Sequence, residues 1–233
     1  VESWGASGGV ILSASHNPPA WNALKFVDQD GSFLSPERFS ALRSAHDGGT
    51  QGFCGSLEFG GGRERHGEAL ELHLASVVAL VDVERVRAAR LSLALETGHG
   101  AGGTLLPRLA ERLGLALDGR HLEPSGQLPA DPEPTTETLR HLLPTVSPDT
   151  TLFAMVDPDA DRLGIALPGN PGVVGEEWTL PLVVSARARQ ARGTIVTNLS
   201  TSTRVEAAAA GMPVVRTPVG EAHVVAAMKS NRA

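Results

Sequence analysis

Short apolar runs alternate with amphipathic stretches along most of the chain. Gly9-Val-Ile-Leu12 is a short run that predicts a buried strand, and Trp21-Asn-Ala-Leu-Lys-Phe-Val27 alternates as a second strand closed by the turn Asp28-Gln-Asp-Gly31. Val1 to Gly8 shows neither cap nor periodicity. Ser35-Pro36-Glu37 places a cap, a first-turn proline and an acid in the order that opens a helix, which should end near Ala45. From Glu68 to Leu80 the apolar positions Leu70, Leu74, Val77 and Val78 share one helical face, and Asp82 caps a further short helix. Leu91 to Glu96 reads as a strand, Thr104 to Leu113 as a helix stopped by Gly114, and Leu115 to Leu117 as the start of another strand.

Thr135 caps a helix ending near Leu143. The runs Thr151-Leu-Phe-Ala-Met-Val156 and Leu163-Gly-Ile-Ala-Leu167 then read as strand, tight loop, strand. Beyond them come a helix from Gly175 to about Ala188, a strand 193–197, a helix Thr201–Ala210, a strand Pro213–Arg216 and a helix Glu221–Lys229. Strands alternating with helices at this spacing predict α/β layers with largely parallel sheets. Residues 46–64, rich in glycine, are expected to be a linker of weak local order.

Composition narrows the class. With 233 residues the chain has room for one large or two small domains. Aromatics make up only 4% and Tyr is absent, so the core must be built from Ala, Val and Leu. The net charge of −6, without a basic block, argues against a nucleic-acid partner. A single cysteine, Cys54, excludes an internal disulfide framework and a cysteine-rich zinc site. No apolar run is long enough to span a bilayer and no signal segment opens the chain, so the expectation is no membrane partner and a cytoplasmic location.

The chemistry concentrates in Asp157-Pro158-Asp159-Ala160-Asp161-Arg162. Three carboxylates on alternate residues of one loop repel each other, and no lysine near them in the chain offsets the charge. A solvated acidic turn is the plain reading. An EF-hand fails, because Arg162 stands where its glycine belongs and Pro168 where its glutamate belongs. An aspartyl-nucleophile phosphatase is a closer rival, though it leaves the third aspartate without a use. A hard divalent cation fits best, and an oxygen-only donor set favours Mg²⁺ over Zn²⁺.

The second candidate is Ser13-Ala-Ser-His-Asn-Pro18. A loop serine is usually an ordinary turn residue. Here Ser15 stands beside His16, which can steer a proton, and Asn17, which can donate from its amide, while Pro18 and Pro19 stiffen the exit. Lys25 follows closely and could neutralise a phosphate. Thr97 to Gly103, a glycine-rich stretch between a strand and a helix, could in principle hold a dinucleotide or a phosphate, but its spacing is not the dinucleotide fingerprint and Glu96 precedes it, so a tight strand-to-helix turn is the better reading. His66, His73, His99, His121 and His141 read as single surface residues, and Arg85, Arg87 and Arg90 as a solvated helix face.

Taken together, residues 13–18, Asn22-Ala-Leu-Lys-Phe26 and 157–162 resemble the α-D-phosphohexomutase family. The likeness continues through 96–103, Asp131-Pro-Glu-Pro134 and Arg216-Thr-Pro-Val-Gly220, and so covers nearly the whole chain. Trp21 to Phe26, Gly175 to Thr179 and Asn198 to Ser202 look most like the phosphoglucosamine mutase branch, with the phosphomannomutase/phosphoglucomutase branch its near neighbour.

The resemblance implies consecutive α/β/α layered domains with mixed, largely parallel sheets: residues 1–64 as the later part of a first domain, 65–166 as a second and 167–233 as part of a third. It further implies that Ser15 carries a phosphoryl group, that Asp157, Asp159 and Asp161 hold one Mg²⁺ with a phosphoryl oxygen on Ser15, that His16 and Lys25 flank the transfer site and assist proton movement, and that Arg162 faces the substrate or the phosphoryl group. The implied reaction shifts phosphate between O6 and O1 of a phosphosugar through a hexose 1,6-bisphosphate, which would also act as activator. Two positions depart from the family's usual residues, Ser13 for Thr and Glu96 for Asp. The chain is expected to enter the first of four domains partway and to stop within the third, before the sugar-reading loop and the phosphate-gripping fourth domain.

Overall fold

The computed structural model describes residues 1–18, 20–48, 67–129, 131–169 and 173–232. Pro19, Cys54, His66 and the expected linker after residue 48 lie outside the described residues. A 3₁₀ turn over Glu2–Trp4, which no sequence signal announced, precedes the first strand.

Strands β1 (Gly8–Leu12) and β2 (Leu24–Asp28) pair antiparallel as a hairpin, with Val10 opposite Phe26 and Ile11 opposite Lys25. Helix α1 (Pro36–Asp47) starts as anticipated, the Ser35 side chain accepting from the Arg38 N–H. It docks on the hairpin through Phe39, whose ring centroid lies 6.4 Å from that of Phe26.

The central unit is built on five strands. Helices α2 (Glu68–Val78) and α3 (Val83–Ala88) lead into β3 (Ser92–Glu96), α4 (Gly102–Leu113), β4 (Ala116–Arg120), α5 (Thr136–Leu142), β5 (Leu152–Val156), β6 (Leu163–Ala166) and β7 (Val173–Val174). The sheet order is β4-β3-β5-β6-β7. β3 runs parallel to β4 and β5, while β6 and β7 return antiparallel. The sheet is therefore mixed, because the six-residue acidic loop is too short for a crossover and must fold the chain back as a hairpin.

β5 lies at the centre, and strand periodicity sends its side chains to both faces. Phe153 and Met155 join Ala94, Leu139, Val146 and Ala166 in the main core. Val156 faces the other way, onto α4. A Cβ at Gly102 would stand only 2.9 Å from Val156 Cγ2, so that helix opens hard against the strand. Leu74 on α2 is fully buried, as the apolar face predicts. Helices thus cover both faces of the sheet, and its middle strand ends where the first aspartate begins.

The third unit comprises α6 (Glu176–Ala188), β8 (Ile195–Asn198), α7 (Arg204–Ala208), β9 (Val214–Thr217) and α8 (Glu221–Asn231). β8 and β9 pair parallel around a small core of Val184, Val205 and Ala209. α7 is shorter than the Thr201–Ala210 helix expected. Asn198 Oδ1 accepts from the backbone and hydroxyl of both Ser200 and Thr201, and this local turn outcompetes a helical start. The last helix returns to the turn that follows β2, where Lys229 pairs with Asp30 and reaches Ser32 Oγ at 3.2 Å.

Candidate active site

Strand β5 delivers Asp157 at its carboxyl end with no solvent exposure at all. The loop then closes on itself, the Ala160 N–H donating to Asp157 O at 3.0 Å and the Arg162 N–H to Asp157 Oδ1 at 3.0 Å. Ala160 takes a left-handed φ of 60° to make the turn. One carboxylate oxygen from each of Asp157, Asp159 and Asp161 falls within 4.8 Å of the others.

The glycine turn after β3 supports this loop from below. The Ala101 N–H donates to Pro158 O at 2.8 Å, and a Cβ at Gly100 would lie 2.3 Å from that same oxygen. Thr97 to Gly103 is therefore a tight turn between strand and helix, and its smallness lets the acidic loop sit down on it.

The hairpin brings the serine loop to the acids across nearly the whole chain. Ser13 Oγ donates to Asp159 Oδ2 at 2.7 Å, and Lys25 Nζ donates to the same oxygen at 3.0 Å. The acidic loop therefore has a lysine after all; it comes from a strand 134 positions away, where chain proximity gives no hint of it. Ser15 has a left-handed φ of 54°, its N–H donates to Ser13 Oγ at 3.0 Å, and its Oγ lies 3.3 Å from His16 Nδ1. Asn17 uses its amide inside the loop, donating to Ala14 O at 2.8 Å. An open cleft of ≈ 540 Å³ is lined by Ser13, Ser15, Trp21, His99 and Asp159.

Arg162 does not line this cleft. It pairs with Glu133 and, with Asp161, borders a second cleft of ≈ 620 Å³ walled by Thr179, Asn198 and Ser202. The structure therefore brings Lys25 onto Asp159 beside its two neighbouring aspartates, sets Ser15 in one cleft with Asp159, turns His16 toward a separate, third cleft lined by Pro18 and Glu133, and leaves Arg162 at the rim of the second.

The electrostatics suit a cation. Burial, then repulsion from Asp161 and Asp159, pushes the Asp157 carboxyl up to about 7. Burial works on Asp159 in the same direction, but hydrogen bonds from Ser13 and Lys25 outweigh it and hold that carboxyl below the usual range. The two neighbouring carboxyls are thus pushed in opposite directions, Asp157 up and Asp159 down. Burial opposes the charge on Lys25, yet Asp159 outweighs it and raises the lysine. Among the described residues, Asp157 Oδ2 and Asp159 Oδ1 are buried without a hydrogen-bond partner. Buried polar atoms left bare are costly. Two such oxygens in an oxygen-only cluster fit a hard divalent ion.

Other contacts escaped the sequence reading. His99 and His121 are not scattered singles: their rings lie 4.6 Å apart, and His121 Nδ1 sits 2.8 Å from a carboxylate oxygen of the buried Glu96. Glu96 also accepts from the Gly98 N–H at 2.8 Å, bracing the glycine turn. The glutamate in Asp131-Pro-Glu-Pro134 was visible as part of a motif, but nothing local linked it to Arg162.

Layered α/β units with an acidic trio at the end of a central strand and a serine loop laid against it define a class. Sequence models for the three α/β/α domains of phosphoglucomutase/phosphomannomutase match it: domain I over residues 1–51, domain II over 71–170 and domain III over 178–233. The chain belongs to the phosphoglucomutase/phosphomannomutase family.

A phosphoglucomutase/phosphomannomutase of Thermococcus kodakarensis is 30% identical over 97% of this chain and 50% of its own length. A probable phosphoglucosamine mutase of Methanopyrus kandleri is also 30% identical, over 98% and 50%. A crystal structure from Thermus thermophilus, provisionally named a phosphomannomutase, superposes with a TM-score of 0.82 at 23% identity, covering 99% of this chain and 53% of that one. The chain thus spans about half the length of the curated relatives it matches. No helix among the described residues is long and apolar enough to cross a membrane.

Proposed function

We propose that this chain carries the phosphoryl-accepting serine and the cation site of a phosphohexomutase. The observation behind this reading is the joint contact of Ser13 and Lys25 with Asp159, which lays the Ser15 loop on the acidic loop. Ser15 is the phosphoryl carrier. Asp157, Asp159 and Asp161 hold Mg²⁺, for which the two bare buried oxygens are the natural ligands. When bound, the ion supplies Lewis-acid neutralisation of charge on the moving phosphoryl group.

Phosphoryl transfer asks a protein mainly for positioning and charge stabilisation. As the sugar oxygen attacks, the bond from phosphorus to Ser15 Oγ breaks and a new phosphorus–oxygen bond forms. The sugar hydroxyl gives up its proton, which His16, beside Ser15, is the group at hand to accept, while Lys25, kept charged by Asp159, assists by steering it. Lys25 also adds positive charge beside the acids, and Arg162 adds it at the rim. Reversing the transfer at the other end of a hexose 1,6-bisphosphate returns the phosphate to Ser15.

The favoured substrate is glucosamine 6-phosphate, becoming glucosamine 1-phosphate. Support comes from the segments around Trp21, Gly175 and Asn198 and from relatives named as probable phosphoglucosamine mutases. Mannose and glucose phosphates are the alternative, favoured by the equally similar Thermococcus relative. The proposed units are residues 1–64, 65–166 and 167–233.

Incubation with glucose 1,6-bisphosphate and Mg²⁺, followed by peptide mass spectrometry, tests the reading. Phosphate should appear on Ser15 and vanish in Ser15→Ala. Phosphate on an aspartate, or none on Ser15, would overturn it in favour of an aspartyl phosphatase or a scaffold without transfer chemistry.

A further inference from the structure

Ser13 departs from the family's usual threonine, and the sequence gives it no chemistry of its own. In the structure its hydroxyl is the hinge pin between the two loops. A serine hydroxyl has one proton to give and lone pairs to receive. Ser13 gives its proton to Asp159 Oδ2 at 2.7 Å and receives the Ser15 N–H at 3.0 Å. One atom therefore holds both the backbone of the serine loop and the middle carboxylate of the acidic loop.

Each half of that bridge has a consequence. A residue with a side chain enters the left-handed region only when its surroundings hold it there. Ser15 is in that region, and the bond to Ser13 is the contact that fixes its amide. On the other side, Ser13 and Lys25 both occupy Oδ2 of Asp159, leaving Oδ1 bare beside Asp157. Outer hydrogen bonds of this kind fix how a carboxylate presents itself to an ion. Lys25 shares the carboxylate task, but the Ser15 amide bonds to Ser13 and not to the lysine, so Lys25 cannot stand in for Ser13.

We propose that Ser13 is the positioning residue that couples the Ser15 loop to the cation site, aiming the free oxygen of Asp159 and fixing Ser15 with the same hydroxyl. The phosphoryl part of this statement rests on the function proposed above; the coupling itself does not.

The test compares the 233-residue chain with Ser13→Ala, Ser13→Val and Ser13→Thr. Three readings are taken: hydrogen exchange of the Ser15 amide by NMR, Mn²⁺ affinity by electron paramagnetic resonance, and the rate of Ser15 phosphorylation from glucose 1,6-bisphosphate. Alanine and valine should each speed amide exchange and weaken Mn²⁺ binding by about tenfold, the scale of one lost hydrogen bond to a charged group. Phosphorylation should slow by a similar factor, and threonine should restore all three. Valine matches threonine in volume, so its failure together with threonine's rescue separates the hydroxyl from packing.

Unchanged exchange and affinity in both alanine and valine variants, a loss in only one of those two readings, or a threonine variant as poor as alanine would overturn the proposal. A wild-type chain that takes no phosphate would overturn the proposed function instead, and exchange and Mn²⁺ affinity would still decide the role of Ser13.

Discussion

At the scale of single residues, Asp157 and Ser15 are held against their preferences. The Asp157 carboxyl, raised to about 7, keeps its proton in the folded chain over a pH range where the unfolded chain has already released it. Its contribution to stability is therefore largest at acid pH. It declines from the ordinary carboxylate range up to about 7, then levels off. Urea midpoints measured at about pH 5 and about pH 8 should show this fall, and Asp157→Asn should reduce it. Because a cation competes with that proton, Mg²⁺ should stabilise the chain more at the higher pH. Ser15 presents a backbone example, with its φ of 54°. Ser15→Gly should be more stable than Ser15→Ala by about 1 kcal/mol in urea titrations, since only the alanine keeps a Cβ in the left-handed region.

Elements were legible wherever their signals are local. Ser35, Asp82 and Thr135 each accept the N–H three residues on, as their places before helical patterns implied. The apolar runs at 91–96 and 151–156 became the adjacent central strands. Legibility failed where the decisive partner was distant or the signal short. Strand β7 has two residues, too few for a period to show. The start of α7 was lost to the Asn198 turn. The motifs marked Ser15 and the three aspartates, but Lys25 on Asp159, Glu133 on Arg162 and Glu96 on His121 are products of the tertiary fold.

The glycine turn before α4 is legible as a turn, and only the fold shows what it carries. Gly100→Ala would drive a Cβ into the Pro158 carbonyl. It should cost about 1–3 kcal/mol in thermal or denaturant unfolding and weaken Mn²⁺ binding as the acidic loop lifts. Gly67→Ala, with open space around it and φ of −59°, should change neither.

Across the whole molecule, two ion pairs among the described residues fasten the β1–β2 segment to parts of the chain beyond α1. Inside, Lys25 and Ser13 meet Asp159, with side-chain exposures of 31% for the lysine and 19% for the aspartate. Outside, Lys229 of α8 meets Asp30, with exposures of 57% and 42%. The hairpin is otherwise poorly buried, with Leu12 72% and Leu24 56% exposed. Salt screens exposed charges far more than sheltered ones. At about 1 M salt, where the screening length is about 3 Å, amides around residues 28–32 should exchange faster while the Ser15 amide keeps its rate. The two fastenings then behave as a latch and an axle. Ions in the solvent should loosen the latch before the axle, so whatever enters the cleft would still find the serine in register with its acids.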